Sequence, residues 1–340
     1  MRLSPPPYLL LLSLLALGGC AAPGANDDDA ASNDDDAASN DDDAADDDDD
    51  DTPDTTGPSV LSTSPADGDT GVYEDATVQF VFSEAMDTAS VEAALDTAEL
   101  GEVALSWNAT GDTLTVTPAT FLLYAEGTGG SPAAIDPVRY RVELEDSATD
   151  AAGNGILNGG AEVTFTTMKA MTNEHELHEL MTGSGTAGGG VDSPEGTLHV
   201  GDNDNAEGIR GFVTMDLWFV STTAVEVVEA TLTARMYETA GLPWSLGDLI
   251  LDHGIYEAFD NAAFNLQPLS EVGVFATDGD VALSIDVTSQ VDDDVKNRQE
   301  RDALSQYRLR FETINNEDGV ADLVYLSRDA FVLEITYLAH

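Results

Sequence analysis

The sequence is poor in cysteine and in basic residues. Its 340 residues include one cysteine, which excludes an intrachain disulfide framework and a structural zinc site built from thiolates. Only 12 Lys and Arg accompany 65 Asp and Glu, which gives a formal charge of −53. Because a chain this acidic repels phosphate backbones, we predict no nucleic-acid partner. The length favours two folded domains over one.

A membrane-spanning apolar run is also missing near the N-terminus. Residues 8–17 are apolar apart from Ser13. This run is about ten residues long, whereas a membrane helix needs roughly 20, and its length is typical of a secretory signal. Gly18 and Gly19 follow, and then Cys20. This order resembles the lipobox of bacterial lipoproteins, which implies that residues 1–19 are a removed signal peptide and that Cys20 is acylated, for example with palmitate. The alternative is an ordinary cleaved signal with an unmodified cysteine.

Residues 20–56 form the next segment. Within it, residues 21–54 carry 16 aspartates and no side chain larger than Asp, Asn or Pro. Such a composition cannot bury enough apolar surface to offset the entropy of ordering, so we predict a disordered, self-repelling tether. Acidic stretches after the anchor resemble those of surface-exposed lipoproteins, which implies display on the bacterial outer membrane. Specific calcium binding by this tail is the alternative, but the spaced glycines of known calcium loops are absent.

Residues 57–167 have the pattern of a β-sandwich. Short alternating segments are separated by Gly, Asp and Asn turns, as several short strands in one domain require. The predicted strands include residues 77–82, 103–107, 113–117, 139–145 and 162–166. Phe82 and Phe165 are expected to face inward, and Met86 is expected to fill a gap in the core.

Six motifs in this segment occur in the order of a known family. The motifs lie at residues 64–68 (SPADG), 71–72 (GV), 81–87 (VFSEAMD), 114–118 (LTVTP), 150–154 (DAAGN) and 164–167 (TFTT). On these motifs the segment resembles the bacterial Ig-like domain of the S-layer-protein type, which implies an Ig-like sandwich used as a spacer or adhesive module. An insertion at residues 127–137 lengthens one loop.

The acids of this domain and the histidines after it do not form a recognisable catalytic pattern. Nothing in the sequence places Glu84, Asp87 and Asp150 in one cleft. His175 and His178 are three residues apart, whereas the zincin pattern has its histidines four apart on one helical face. Residues 168–196, rich in Gly, Ser and Thr near their centre, are predicted to be a flexible linker between two independent domains.

Residues 197–340 are again strand-patterned and predict a jelly-roll β-sandwich. The expected strands are residues 211–220, 227–237, 281–287, 307–313, 322–327 and 331–337, with one helix within 292–303. Six motifs follow one another at residues 198–202 (LHVGD), 210–212 (RGF), 215–217 (MDL), 228–232 (VEATL), 285–288 (IDVT) and 331–335 (FVLEI). Their order resembles that of the DNRLRE and disaggregatase-related family, which implies a carbohydrate-binding-like jelly roll.

Sugar binding requires aromatic faces for the pyranose rings and polar side chains for the hydroxyls. The long loop region from residue 241 to 264 offers both. We expect Trp244, Tyr256 and Phe259 to form the platform and Asp252 to orient the ligand. The alternative for Trp244 is that it closes one end of the sandwich.

A loop calcium site is possible at residues 201–205, where Asp202 and Asp204 supply oxygen ligands of the kind calcium prefers. A solvated turn is the alternative. No other cofactor is required by the sequence.

The sequence therefore predicts an all-β, non-catalytic binding or adhesion protein of the cell envelope, held to the membrane by its lipid and directed at a polysaccharide. It has neither a Gly-x-Ser-x-Gly elbow nor a phosphate-binding loop. One alternative is a structural surface-layer protein or an adhesin that binds surface proteins. A second is a polysaccharide-cleaving enzyme whose two carboxylates the sequence does not reveal.

Overall fold

The computed structural model describes residues 53–178, 181–187, 191–192, 196–258 and 260–340. Cys20 and the predicted tether as far as residue 52 lie outside these residues, as does Phe259. The described residues are mainly β-strand, which confirms the predicted all-β class. They include the helices α1 (Thr88–Ala94), α2 (Asn261–Phe264) and α3 (Thr288–Lys296). None of the described helices has the length and apolar character needed to cross a bilayer.

The N-terminal domain is a sandwich of two four-stranded sheets, ordered β1–β3–β6–β5 and β2–β9–β8–β4. Along β3 the side chains alternate between inward and outward, so that Phe80 and Phe82 are buried. Phe165 of β9 and Met86 are buried in the same core, which confirms the predicted inward positions. The strands, with β7 included, are β1 (Val60–Ser64), β2 (Asp69–Val72), β3 (Val78–Phe82), β4 (Leu95–Asp96), β5 (Val103–Trp107), β6 (Thr113–Pro118), β7 (Ala125–Thr128), β8 (Arg139–Leu144) and β9 (Ala161–Thr167).

The C-terminal domain is a larger sandwich. One sheet runs in the order β17–β16–β19–β14–β13–β20–β15, with β11 also paired to β14 and β12 to β11; the other contains β18, β15, β21, β10 and β7. The strands are β10 (Lys169–His175), β11 (Gly183–Thr186), β12 (Val191–Asp192), β13 (Thr197–Asp202), β14 (Gly208–Asp216), β15 (Ala224–Ala240), β16 (Leu249–His253), β17 (Ser270–Ala276), β18 (Ala282–Asp286), β19 (Leu304–Phe311), β20 (Asp322–Ser327) and β21 (Val332–Ala339).

Strand β15 connects the two sheets of this sandwich. Its first part pairs with β18 and β21, and its last residues pair with β20. The register is irregular between Met236 and Glu238, and an irregularity of this kind bends a strand. The core enclosed by the two sheets contains fully buried side chains from both, among them Met215, Leu232 and Tyr307.

The prediction of a flexible linker at residues 168–196 is wrong, because the segment contains β10, β11 and β12. Met171, Asn173 and His175 of β10 are buried, so this strand belongs to the sandwich. A Cβ on Gly185 of β11 would lie 3.0 Å from the ring of Phe212. Close packing therefore accounts for the small residue there, where the composition suggested flexibility.

The insertion in the N-terminal domain crosses into the C-terminal sandwich. Strand β7 pairs in parallel with β10, from Ala125 opposite Lys169 to Thr128 opposite Thr172. At Gly127 a Cβ would clash with Ile135 and Met171, so the close approach requires glycine. The two domains consequently share a sheet, which corrects the expectation that they are independent.

Candidate functional site

The structure places Trp244, the first predicted platform residue, against the core. It lies in the 3-10 turn Pro243–Leu246 and is half-buried. Its ring meets the edge of Phe311 at a centroid distance of 5.7 Å. Pro243 and Leu246 on either side are buried. The alternative interpretation, in which Trp244 closes one end of the sandwich, is the one that the geometry supports.

Tyr256 and Asp252 are interior residues, so the structure corrects their expected role as surface ligand contacts. Burial raises the pKa of the Tyr256 phenol, whose oxygen lies 2.8 Å from the hydroxyl of Thr214. Asp252 is fully buried and accepts hydrogen bonds from Arg308 at 2.6 Å and Arg310 at 2.8 Å. Ion-paired in this way, Asp252 holds strands β16 and β19 together and has no free oxygen facing solvent.

A third arginine stands beside this buried ion cluster. The guanidinium of Arg210 lies 4.4 Å above the ring of Phe264. Burial, together with the positive charges of Arg308 and Arg310, lowers the pKa of Arg210 to about 10. These charged residues on β14, β16 and β19 are therefore parts of one buried ion cluster.

Neither of the predicted calcium ligands belongs to a cluster of three metal-ligating side chains among the described residues. Asp202 is buried, and its two oxygens accept hydrogen bonds from the backbone N–H groups of Asn316 and Asp322, each at 3.2 Å. Asp204 is exposed and accepts a hydrogen bond from the side chain of Asn205. Asp202 thus stabilises the loop before β20, and calcium binding by Asp202 and Asp204 stays a prediction.

Three carboxylates do meet on the N-terminal domain, where Asp54, Glu84 and Asp150 each place an oxygen within 4.8 Å of the others. Burial raises the pKa of Glu84, and a hydrogen bond with Asp54 adds to the rise. Asp150 is desolvated, but hydrogen bonds from Asn154 and Ala152 prevail and lower its pKa. Asp87 lies apart as the N-cap of α1. Asp150 organises its own loop, and the cluster ties residue 54 to the domain.

A different pair of aromatic residues is exposed. Trp218 and Phe219 are 71% and 73% exposed, although the residues on either side, Leu217 and Val220, are buried. These four residues form a tight turn after β14, closed by the N–H of Val220 donating to the carbonyl of Leu217 at 3.0 Å. We call residues 217–220 the aromatic turn. Its two buried anchors hold the two aromatic rings outward.

Hydrogen bonds from three directions hold the aromatic turn. The carboxylate of Asp216 accepts from the N–H of Trp218 at 2.8 Å, and the buried amide of Asn173 donates to the carbonyl of Phe219 at 3.2 Å. The guanidinium of Arg298, from the segment after α3, donates to the carbonyls of Leu217, Val220 and Ser221, each at 3.1 Å. The backbone that carries the two exposed rings is therefore fixed by the fold, and a preorganised backbone lowers the entropic cost of binding.

The aromatic turn borders a groove of about 1090 Å³. The other walls are the end of β7 with Gly129 and Gly130, the outer face of β10, and Glu334 of β21. Both domains thus contribute to the groove through the shared sheet.

Two further surface depressions adjoin the groove, and each shares lining residues with it. Trp218 also lines a neighbouring depression of about 390 Å³ that includes Arg298 and Asp302. Glu176 and Leu177 also line a third, of about 580 Å³, that reaches Phe331. The three depressions therefore share lining residues. Trp218 lines both the groove and the depression that includes Arg298.

A histidine supports the turn from within. His175 of β10 is buried, its ring centroid lies 6.3 Å from that of Phe219, and its Nδ1 lies 2.9 Å from the carbonyl oxygen of Asp216. Burial lowers the pKa of His175. Its Nε2 has no hydrogen-bond partner among the described residues. His175 therefore serves as a neutral packing residue behind the groove.

Sequence reasoning missed the aromatic turn because residues 211–220 form an unbroken apolar-rich run, which predicts a single strand. The strand ends at Asp216. The available signal was that aspartate itself, since Asp side chains hydrogen-bond to the backbone two residues ahead and start turns. The Ser-Thr-Thr sequence at residues 221–223 is a second turn signal.

A comparison with known protein families identifies the N-terminal domain. Residues 54–167 match the family model of the bacterial Ig-like domain, so this part of the chain is an Ig-like domain. Most of the groove lies outside the matched residues, apart from residues 128–130. No curated protein matches the chain.

Three solved structures show similarity at low identity. SGBP-B from a complex xyloglucan utilization locus in Bacteroides uniformis is 13% identical, with 82% of this chain and 73% of that chain covered and a TM-score of 0.21. The S-layer protein rSbsC(31-844) is 14% identical, with 68% and 41% covered and a TM-score of 0.22. Domains 1–6 of the surface layer protein SbsC give the same identity and coverage, with a TM-score of 0.23. The chain spans about two fifths of each S-layer chain.

Proposed function

We propose that this protein is a non-catalytic binding module of the bacterial cell envelope and that the groove beside the aromatic turn binds polysaccharide. The observation that carries the proposal is the exposure of Trp218 and Phe219, whose neighbours in the aromatic turn are both buried. Solvent-exposed aromatic rings present a flat apolar face on which pyranose rings can stack. The exposed carboxylates in the groove supply polar groups for hydroxyls.

The shape of the surface favours a polymer over a single sugar. Depressions lie on both sides of Trp218, so a chain of sugars can pass over the indole and keep contact at each end. A small molecule would use only the central groove.

The geometry favours binding over cleavage. A glycosidase needs one carboxyl group kept protonated by apolar surroundings opposite a second carboxylate. Glu174 and Glu334, which lie in the groove, are both exposed on an open sheet face. Neither has the enclosed environment that would make it a general acid.

The proposal places the groove outside the cell membrane, on a protein anchored by acylated Cys20 and held away by the acidic residues 21–54. The support is the lipobox resemblance and the repulsion among the aspartates. Mass spectrometry of the purified mature protein tests the anchor. We expect a lipid-modified Cys20 at the N-terminus, and an unmodified cysteine would overturn this part.

Affinity electrophoresis of the full chain through gels that contain plant or bacterial polysaccharides tests the binding site. The test compares wild type, Phe219→Ala and a matched control, Phe121→Ala. Phe121 is 68% exposed but lies outside the groove. We expect wild type and Phe121→Ala to be retarded by the same polysaccharide and Phe219→Ala to migrate faster.

Two results would contradict the proposal. If no polysaccharide retards the wild type, the protein-binding adhesin becomes the better account. If soluble reducing ends accumulate during incubation with a retained polysaccharide, the protein is an enzyme.

A further inference from the structure

Two glutamates oppose each other on the floor of the groove. In the register of β10 and β21, Glu174 is the direct partner of Glu334. Both side chains are exposed and both line the groove. Like charges directly opposite across antiparallel strands destabilise a sheet. The pair therefore has a cost in the free protein that a positively charged ligand would remove.

The remaining groups of the groove increase the negative potential. Glu176 and Asp216 also line it, and none of the described lining residues is Lys, Arg or His. Within the described part of the chain, neither Glu174 nor Glu334 forms an ion pair. Arg298 lines the depression on the other side of Trp218, where its guanidinium donates to three backbone carbonyls.

The aromatic turn suits the same kind of ligand. An ammonium group near the face of an indole is attracted by the negative face of the ring. Trp218 is 71% exposed and borders the groove that holds the carboxylates. Stacking of a sugar on the indole and attraction of an amine to the carboxylates can occur together in one ligand.

We infer that the groove selects a polysaccharide whose sugars carry free amino groups, in preference to N-acylated sugars and to uronic acids. This inference rests on the proposed function, since it specifies the ligand of the same groove. The cross-strand glutamates provide the charge selection, and the aromatic turn provides the contact that all pyranoses share. A uronic acid would place its carboxylate against the glutamates and be repelled.

Isothermal titration calorimetry of the full chain with three probes tests the inference. The probes are hexamers of β-1,4-linked glucosamine, of N-acetylglucosamine and of galacturonic acid, at low salt and at a pH below the pKa of the sugar amine. We expect the glucosamine hexamer to bind roughly tenfold more tightly than the N-acetylated hexamer, since a tenfold ratio corresponds to about two exposed ion pairs, one with each glutamate. We expect no binding of the galacturonic acid hexamer.

Variants separate charge selection from sugar binding. Glu174→Gln with Glu334→Gln should reduce the preference for the free amine to about twofold or less, and the readout is the ratio of the affinities for the two hexamers. The matched control is Glu102→Gln with Glu145→Gln, two exposed glutamates of the Ig-like domain, which should keep the full preference. Trp218→Ala should weaken binding of both hexamers.

The outcomes distinguish the inference from the proposed function. Equal binding of the two glucosamine-based hexamers by wild type, with both lost in Trp218→Ala, would overturn the inference and support the proposed function. A preference that survives in the Glu174→Gln, Glu334→Gln variant would also overturn the inference. If none of the hexamers and none of the gel-embedded polysaccharides binds, both fail together.

Discussion

Two tryptophans of the C-terminal sandwich differ in a way that locates the candidate site. Trp244 follows a proline in a long loop, yet its ring packs on Phe311. Trp218 follows directly on a buried strand, yet it is 71% exposed. The position of an aromatic residue in a loop or beside a strand therefore does not determine whether it can meet a ligand.

Whether each tryptophan is exposed depends on which of its neighbours in the turn are buried. In the turn of Trp244, Pro243 and Leu246 are buried and the indole packs against the core. In the aromatic turn, Leu217 and Val220 take the inward positions and leave no inward place for Trp218. If this comparison is correct, the two tryptophans should respond to mutation in opposite ways.

The largest effect is expected from Arg298→Ala. This change leaves three carbonyls of the turn without their donor, and hydrogen bonds from a charged group contribute about 1.5–3 kcal/mol each. We expect a loss of about 3 kcal/mol in the free energy of unfolding, since water replaces part of the loss, together with loss of polysaccharide binding. Urea unfolding and gel retardation measure the two. A variant that binds normally would show that the turn does not need this clamp.

Trp244→Ala should affect stability and leave binding intact. Removing a half-buried indole that contacts Phe311 should cost about 2 kcal/mol, below the range for fully buried aromatics. Urea unfolding measures the loss. Retardation by the polysaccharide that wild type recognises should be unchanged; reduced retardation would return Trp244 to the ligand platform.

Trp218→Ala should show the opposite. We expect affinity to fall by about tenfold or more, because aromatic anchors dominate the energy of binding surfaces. The free energy of unfolding should change by less than about 0.5 kcal/mol, as for other exposed positions. Calorimetric titration and urea unfolding provide both values. A large loss of stability here would mean that the indole is part of the fold.

The smallest effect is expected from pH, through His175. Burial lowers the pKa of His175 below its ordinary value of 6.5, so the unfolded chain takes up the proton first as pH falls. The stabilisation from neutral His175 is therefore present above pH 6.5 and lost below it. Melting temperatures taken about one pH unit above and below 6.5 should differ more in wild type than in His175→Asn. Equal differences would show that His175 does not contribute.

The sequence was sufficient for the two sandwiches and for the Ig-like domain. Alternation in β3 and the ordered motifs around it are local signals, and the structure agrees with them. The shared sheet was not predictable, because β7 pairs with β10 across more than 40 residues of chain and the pairing leaves no local pattern. Gly127, which the close approach requires, resembles any other loop glycine.

The sequence predicts aromatic residues beside carboxylates in the C-terminal domain, and sugar binding by such a site stays a prediction. Trp218 is exposed and lines a groove with Glu174, whereas Trp244 packs against the core and Asp252 is buried. Asp252 was misassigned because its partners, Arg308 and Arg310, lie more than 50 residues further along the chain. The ion pairs of Asp252 with Arg308 and Arg310 become visible only in the folded structure.

The most direct test is a glycan array probed in parallel with full-length wild type, Trp218→Ala and Trp244→Ala. We predict that wild type and Trp244→Ala bind the same set of glycans and that Trp218→Ala loses them. Equal binding by wild type and Trp218→Ala, or loss only in Trp244→Ala, would contradict the assignment of the aromatic turn as the binding site.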